Sequence, residues 1–277
     1  MISKIDINRL KSISRDVRIS IVKSLAEAGS GHLGGSLGMT DVFVSLYFHA
    51  MRHDPSNSSW DERDRLILSN GHIAPVLYAT LAHAGYFSVD ELTTLRKLGS
   101  RLQGHPGRDK GLPGIELSAG SLGQGICVAT GLALAARTDG RDWRVFCLMG
   151  DGEMQEGSVW EAAMCAAHYK LDNLVVIIDR NRLQIDGPTA EVMEIEPLAG
   201  KWKAFGWHVD ECAGHDHEDI LRSIGQAIAV REKPTVIIAH TVMGKGVASI
   251  ENDFRWHGKA PAKEQAADFI KELSEKF

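Results

Sequence analysis

The sequence predicts an α/β fold, a doubly wound and mostly parallel sheet with helices on both faces. Three observations carry this expectation. RVFCLM (144–149), LVVII (174–178) and TVIIA (235–239) are apolar runs of strand length, as strands covered on both faces must be. Segments of helical periodicity lie between them. The composition is ordinary for a globular chain of 277 residues, with 44% hydrophobic and 24% charged residues, so a disordered tail, a fibrous repeat and a disulfide scaffold are excluded.

The elements follow in chain order. Residues 6–28 are predicted as an amphipathic helix, because Ile13, Val17, Ile21 and Leu25 recur at helical spacing before Gly29-Ser30-Gly31 stops the pattern. GSGHLGGSLG is expected as a loop, and Thr40-Asp41 as the cap of a helix reaching about His49. RLIL (65–68) is a short strand candidate, and helices are expected over 72–84 and 88–97. Residues 99–122 are rich in Gly and Pro and show no periodicity. Such a long loop inside a compact chain is usually functional. A small-residue helix is expected from Leu122 to Arg137, and another after GDGEMQEG to about Tyr169. Residues 216–231 are expected as a helix, and 250–277 as an irregular stretch ending in a charged helix. With no linker or repeat in view, residues 1–277 are read as one domain.

Charge and cysteine content exclude several function classes. The 31 Lys+Arg and 36 Asp+Glu leave a formal charge of −5, whereas nucleic-acid binding needs a basic face. No apolar run approaches the roughly 20 residues that span a bilayer. The N-terminal MISKIDINRLKS lacks the apolar stretch of a secretory signal. Cys127, Cys147, Cys165 and Cys212 have no CxxC spacing. They are expected as buried free thiols of a cytoplasmic protein.

In an open parallel sheet, ligands bind beyond the carboxyl ends of the strands. That directs attention to the segments after residues 149, 179 and 240. Gly150-Asp151-Gly152 offers a carboxylate flanked by glycines, and Asp179-Arg180-Asn181-Arg182-Leu183 offers an amide carbonyl. Hard oxygen ligands of this kind suit Mg²⁺ or Ca²⁺, and Mg²⁺ commonly completes its shell with phosphate oxygens. A helix starting near Gln155 would aim its positive end at such an anion. Alone, GDG is a turn. Here it is followed by 28 residues, Glu153 to Arg180, and then by an Asn just past an apolar run.

That spacing, in GDGEMQEG…NLVVIIDRNRLQIDG, resembles the diphosphate-binding domain of transketolase, a thiamine diphosphate enzyme. GSGHLGGSLGMTDVFVSLYF (29–48), RDRLILSNGHIAPVLYATL (63–81), LQGHPG (102–107), SAGSLGQGICVATGLALA (118–135) and WHGKAP (256–261) are similar to transketolase segments in the same order. One departure is Leu33, which stands where the family commonly has Pro.

The resemblance implies that Asp151, Asn181 and the Leu183 carbonyl hold the metal that binds the cofactor's diphosphate. Gly150, Gly152 and Glu156 would belong to the same site, Glu156 through an acidic network at a subunit interface. Gly120, Leu122 and Gln124 would face the aminopyrimidine and thiazolium rings. His32 and His257 would flank the sugar carbon that is cleaved or formed, and His257 would also contact the cofactor. His105 would bind the donor's hydroxyl, and His72 would lie near the diphosphate. The remaining eight histidines, including His215 and His217, are read as solvent-facing.

The implied activity is transfer of a two-carbon ketol unit from a ketose (phosphate) to an aldose (phosphate). Transketolase also has a pyrimidine-binding and a C-terminal domain, which this chain is not expected to contain. The resemblance therefore implies the N-terminal subunit of a split enzyme, paired with a separate C-terminal subunit in an α2β2 assembly. A 2-oxo acid dehydrogenase α-type subunit shares GDG…N, and 1-deoxyxylulose 5-phosphate synthase is another relative. Neither matches the histidine set, LSNGH and WHG as well. A scaffold that only pairs with a partner would be expected to have broken metal ligands, and Asp151 and Asn181 are intact.

Overall fold

The computed structural model describes residues 6–276; residues 1–5, the head of the MISKIDINRLKS stretch, and residue 277 lie outside the described residues. Helix α1 (Ile7–Ala28) begins where the Asp6 side chain accepts from the Arg9 amide. It ends at Gly29, whose φ of 66° favours glycine and whose amide turns back to the Leu25 carbonyl. The segment expected as a loop is in fact helix α2 (Leu33–Gly38). Glycine is a poor helix former, but tertiary packing overrides propensity here. Leu33 and Leu37, one turn apart, are both fully buried. At Gly34 a Cβ would sit 2.6 Å from Met243 Cγ, so the glycine permits close approach. Helix α3 (Thr40–Ser45) continues as a π turn to Ala50, and its N-cap is Met39 rather than Thr40.

Strand β1 (Arg65–Leu68) and helix α4 (Ala74–His83) follow. The helix expected over 88–97 is only a 3₁₀ segment, Val89–Thr94. After the long loop come α5 (Gln124–Thr138), β2 (Val145–Gly150), α6 (Gly157–His168) and β3 (Leu174–Arg180). Next are a small antiparallel hairpin, β4 (Leu183–Gln184) and β5 (Gly187–Pro188), and helices α7 (Thr189–Val192) and α8 (Leu198–Ala204). Strand β6 (His208–Ala213), α9 (His217–Ala229), β7 (Thr235–His240) and α10 (Lys263–Lys276) complete the chain. Neither β6 nor the hairpin was expected. HVDECA carries His, Asp and Glu because β6 is a sheet edge with most of its residues only half-buried or exposed.

The main sheet runs β1-β2-β3-β7-β6, with every pair parallel. Alternate side chains divide its core in two. Leu66, Phe146, Leu148, Val175, Ile177 and Ile237 pack with α1, α3, α4 and α9. Ile67, Val145, Cys147, Val176, Ile178 and Val236 pack with α5, α6 and α8. The helix between β6 and β7 thus lies on the opposite face from those before β2 and β3. Winding reverses between β3 and β7, the place where such sheets open a crevice.

Cys147 and Cys212 are buried as expected, Cys127 is half-buried, and Cys165 is exposed on α6, which corrects its reading as buried; all four are free thiols. No described helix is long and apolar enough to cross a membrane.

Trp202 on α8 anchors the second core. It is fully buried and packs 5.3 Å from the Trp160 ring and 4.7 Å from that of Trp207. Trp202→Ala is expected to destabilise the fold by about 3–5 kcal/mol, measured as a fall in the urea midpoint.

Candidate active site

The β2–β3 register pairs Gly150 with Asp179, so the two strands end side by side and place Asp151 beside the Asn181 turn. A cleft of about 320 Å³ opens there. Asp151 is 1% exposed, and a buried carboxylate needs donors. Its Oδ1 accepts from the Gly152 amide at 2.8 Å. Its Oδ2 accepts from the Arg182 amide at 2.6 Å and from Arg180 Nη1 at 2.8 Å. Burial pushes the Asp151 carboxyl upward, and Arg180 opposes it.

Asn181 Oδ1 accepts from the Leu183 amide at 2.9 Å, and Asn181 Nδ2 donates to Asp179 Oδ2 at 2.8 Å. Asp179 also receives the Thr241 hydroxyl from β7's end. Burial first, and then the Asp151 charge, push the Asp179 carboxyl up to about 7. Gly150, Gly152, Leu183 and the exposed Glu156 also line the cleft. Glu156 is the N-cap of α6, which starts at Gly157 after a 3₁₀ turn, two residues later than expected.

The other end of the cleft gathers histidines from four separate segments. His32 is the N-cap of α2, and His72 lies in the 3₁₀ turn Gly71–Ile73 before α4. His257 follows the 3₁₀ turn Phe254–Trp256. Ring centroids lie 5.1 Å apart for His32 and His72, 5.7 Å for His32 and His257, and 4.9 Å for the stacked His72 and His257. His105 stands 6.3 Å from His32, at the exposed rim. Gly120 faces the His105 ring, where a Cβ would lie 3.4 Å from it, and Leu122 lines the cleft nearby. Gln124 is the exposed first residue of α5. The 118–123 loop rests on the His72 turn: at Gly71 a Cβ would come within 2.9 Å of the Gly120 amide.

Burial lowers all four imidazoles. His32 is pushed down to about 4 by burial and then by His257, Arg96 and His105. His72 falls well below the usual range by burial and neighbouring histidines, and His105 and His257 are also lowered, first by burial. At neutral pH they are uncharged rings, each with one donor and one acceptor nitrogen. His32 Nδ1, His257 Nδ1 and Asn70 Oδ1 are buried without a hydrogen-bond partner in the protein. Buried polar atoms are normally paired, so these atoms call for a polar ligand. The carboxylate and amide at the strand ends suit a hard cation, and Asp151 retains a lone-pair position beyond its three donors. The residues present therefore fit both a metal-bridged anion and a polar ligand beside the histidines.

Sequence reasoning missed several residues. Glu153, 1% exposed, joins the two ends of the cleft. Its Oε1 accepts from the Gly123 amide at 2.7 Å and from the Ser69 hydroxyl, and its Oε2 accepts from the Gly150 amide at 3.2 Å. Its place within GDGE was the available signal. Asp179 and Arg180 were read as flanking residues of the Asn motif, and Met243 and Arg96 carried no motif. His215 and His217, expected to face solvent, do not. His217 is 1% exposed and bonded to Ser45 and Ser14, and His215 is bonded to Asp41 and the Val242 amide. His53 and His83 are likewise half-buried and hydrogen-bonded, to Tyr47 and Ser20.

The histidine shifts set a pH dependence. Below pH 6.5 the unfolded chain protonates these rings before the folded chain does, so stability falls with falling pH, and the part of this loss that belongs to His32 ends near its value of about 4. Urea midpoints measured from pH 7 to 4 should show this decline, with a shallower slope in His32→Gln.

Residues 10–276 match the family described as "Transketolase, thiamine diphosphate binding domain". The chain is 43% identical over 271 residues to a subunit of the apulose-4-phosphate transketolase of Phocaeicola vulgatus, covering 98% of this chain and 96% of that one. It is 41% identical over 257 residues to the 6-deoxy-6-sulfo-D-fructose transketolase subunit SqwG of a Clostridium species, covering 93% of each. The crystal structure of Campylobacter jejuni transketolase superposes with a TM-score of 0.92 at 35% identity, over 98% of this chain. This chain spans only 43% of that longer one. With nearly every described residue matched, the chain belongs to the transketolase family and represents its thiamine diphosphate-binding domain.

Proposed function

We propose that this chain is the N-terminal subunit of a two-chain transketolase that transfers a two-carbon ketol unit from a ketose (phosphate) to an aldose (phosphate). The observation that carries the reading is the cleft itself, with strand-end oxygen ligands at one end and four uncharged histidines at the other. Asp151, Asn181 and the Leu183 carbonyl would hold Mg²⁺ or Ca²⁺, with Gly150 and Gly152 letting the diphosphate approach the backbone. Gly120, Leu122 and Glu156 would bound the cofactor, and His72 would lie toward its diphosphate. When bound, thiamine diphosphate supplies the carbon nucleophile and electron sink.

The chain's own residues would orient the sugar. His32 and His257 would hold or move protons at the hydroxyls beside the reacting carbon, their unpaired Nδ1 atoms being available for this. His105, at the open rim, would bind the donor's terminal hydroxyl. A 2-oxo acid dehydrogenase subunit has no use for so many hydroxyl-binding imidazoles, and a pairing scaffold has no use for an intact Asp151–Asn181 end.

The relatives that match over nearly their full length are named as subunits. This supports a separate chain that carries the pyrimidine-binding and C-terminal domains, with residues 1–277 forming one domain. The outer faces of α5 and α6, which expose Val128 and Met164 while most of their alanines pack against the sheet, are the contact surfaces we assign to an α2β2 assembly. The two relatives are named for different sugars, so ketol transfer is the feature they share. Four free thiols accord with a cytoplasmic setting.

Calorimetric titration of thiamine diphosphate with Mg²⁺ into the assembled complex tests the metal end. Asp151→Ala should weaken binding by about 10-fold or more, and equal affinity would remove Asp151 from the metal. Ketol transfer, assayed with cofactor saturating, tests the rest. This chain alone should be inactive and the partner should restore activity. Alanine at His32, His105 or His257 should lower kcat/KM by about 100-fold or more. Full activity without a partner would overturn the two-chain reading.

A further inference from the structure

Behind the histidine cluster lies a buried polar network that the reading above does not use. Arg18 on α1 is fully buried. Its guanidinium donates to both Asp41 oxygens, at 3.0 and 2.6 Å, and to the Leu37 carbonyl at 3.3 Å. Burial raises the Asp41 carboxyl, but Arg18 and His215 more than reverse this and hold it well below the usual carboxylate range. The ionised carboxylate can only accept. Asp41 Oδ2 lies 2.9 Å from His215 Nδ1, so Nδ1 carries the proton. The Val242 amide donates to His215 Nε2 at 2.8 Å, so Nε2 carries none. Two fixed neighbours thus specify one neutral tautomer.

The Val242 end of this chain of bonds reaches the cleft. Met243 is 1% exposed and lines the cleft wall. It packs on Gly34 of α2, where a Cβ would lie 2.6 Å from Met243 Cγ and 3.0 Å from the Trp256 carbonyl oxygen. The Gly244 amide donates to the Gly34 carbonyl at 2.9 Å. At Gly38 a Cβ would lie 3.1 Å from the Val242 carbonyl oxygen. The turn after β7 therefore bears on the helix that follows His32, and that helix at Gly34 lies in turn against the residue that precedes His257. His217 serves a different contact: its nitrogens meet Ser45 at 2.8 Å and Ser14 at 3.2 Å, joining α9 to α3 and α1.

We propose that His215 is a positioning residue: oriented by Asp41, it holds the Val242 amide and so fixes the Met243 turn against α2, the helix that follows His32 and lies against the segment that carries His257. The catalytic consequence rests on the ketol-transfer reading; the structural one does not. The two imidazole nitrogens can be separated by substitution. In His215→Gln the amide oxygen takes the place of Nε2 and accepts from Val242. In His215→Asn the amide nitrogen takes the place of Nδ1 and donates to Asp41, while Val242 loses its acceptor.

Three measurements test this on the assembled complex. Hydrogen exchange over 241–247 should quicken in His215→Asn and stay near wild type in His215→Gln. Turnover should fall about 10–100-fold in the Asn variant and be largely kept in the Gln variant, with the affinity for thiamine diphosphate unchanged in both. In ¹⁵N-histidine-labelled wild type, the His215 ring should show the Nδ1–H tautomer, a readout that needs no variant to fold. An Nε2–H tautomer, equal exchange in the two variants, or an Asn variant with wild-type exchange and kcat would each overturn the proposal. If wild type with its partner shows no ketol transfer, the proposed function fails, while exchange and tautomer still decide the role of His215.

Discussion

A carboxylate taken out of water must find donors or give up its charge, and the cleft is organised by how two buried carboxylates find theirs. Asp151 and Glu153 sit two residues apart at the end of β2, each 1% exposed. Asp151 draws on the β3 side, on the Arg180 guanidinium and the Arg182 amide. Glu153 draws on the Gly123 amide before α5 and on Ser69 after β1. The ends of three strands and the start of one helix are thereby tied to one short turn. Replacing either group would leave buried amides without acceptors, so the turn's shape and its charge are maintained together.

The histidine end obeys the opposite rule. Its four rings have no carboxylate beside them, and burial is the first cause that lowers each one, joined at His32, His72 and His105 by neighbouring positive charge. Uncharged imidazoles can stand 4.9–6.3 Å apart, as these do, without the repulsion that four cations would create. They also keep both a donor and an acceptor, which suits hydroxyl groups better than an imidazolium does. The site therefore separates two tasks along its length, charge at the strand ends and neutral hydrogen bonding at the rim. Behind this rim, the Arg18–Asp41–His215 bonds let a buried ion pair act on backbone geometry at a distance from any ligand.

Much of this was legible in the sequence. The buried strands are continuous apolar runs because both of their faces are covered, and β1, β2, β3 and β7 stand where those runs predict. Asp151 and Asn181 were found because the end of a strand is a position that sequence can count. The four clustered histidines were found because each sits in a motif with glycine, in an order resembling one family. These features are local, or repeat a local pattern, and so the sequence by itself determined them.

Tertiary structure decided the rest. Helix α2 forms in a glycine-rich segment because Leu33 and Leu37 are buried and Met243 presses on Gly34, contacts that no local propensity contains. Strand β6 pairs only with β7 and is half-exposed, so its polar residues hide it from a search for buried strands. His215 and His217 lie in a polar stretch that reads as surface. They are enclosed because Asp41, 174 residues from His215 in sequence, needs a donor in the core, and because Ser14 and Ser45 meet His217 there. Glu153 gains its role from a glycine amide 30 residues away. In each case the deciding partner is distant along the chain, and a buried polar group takes its meaning from the partner it meets once the chain has folded.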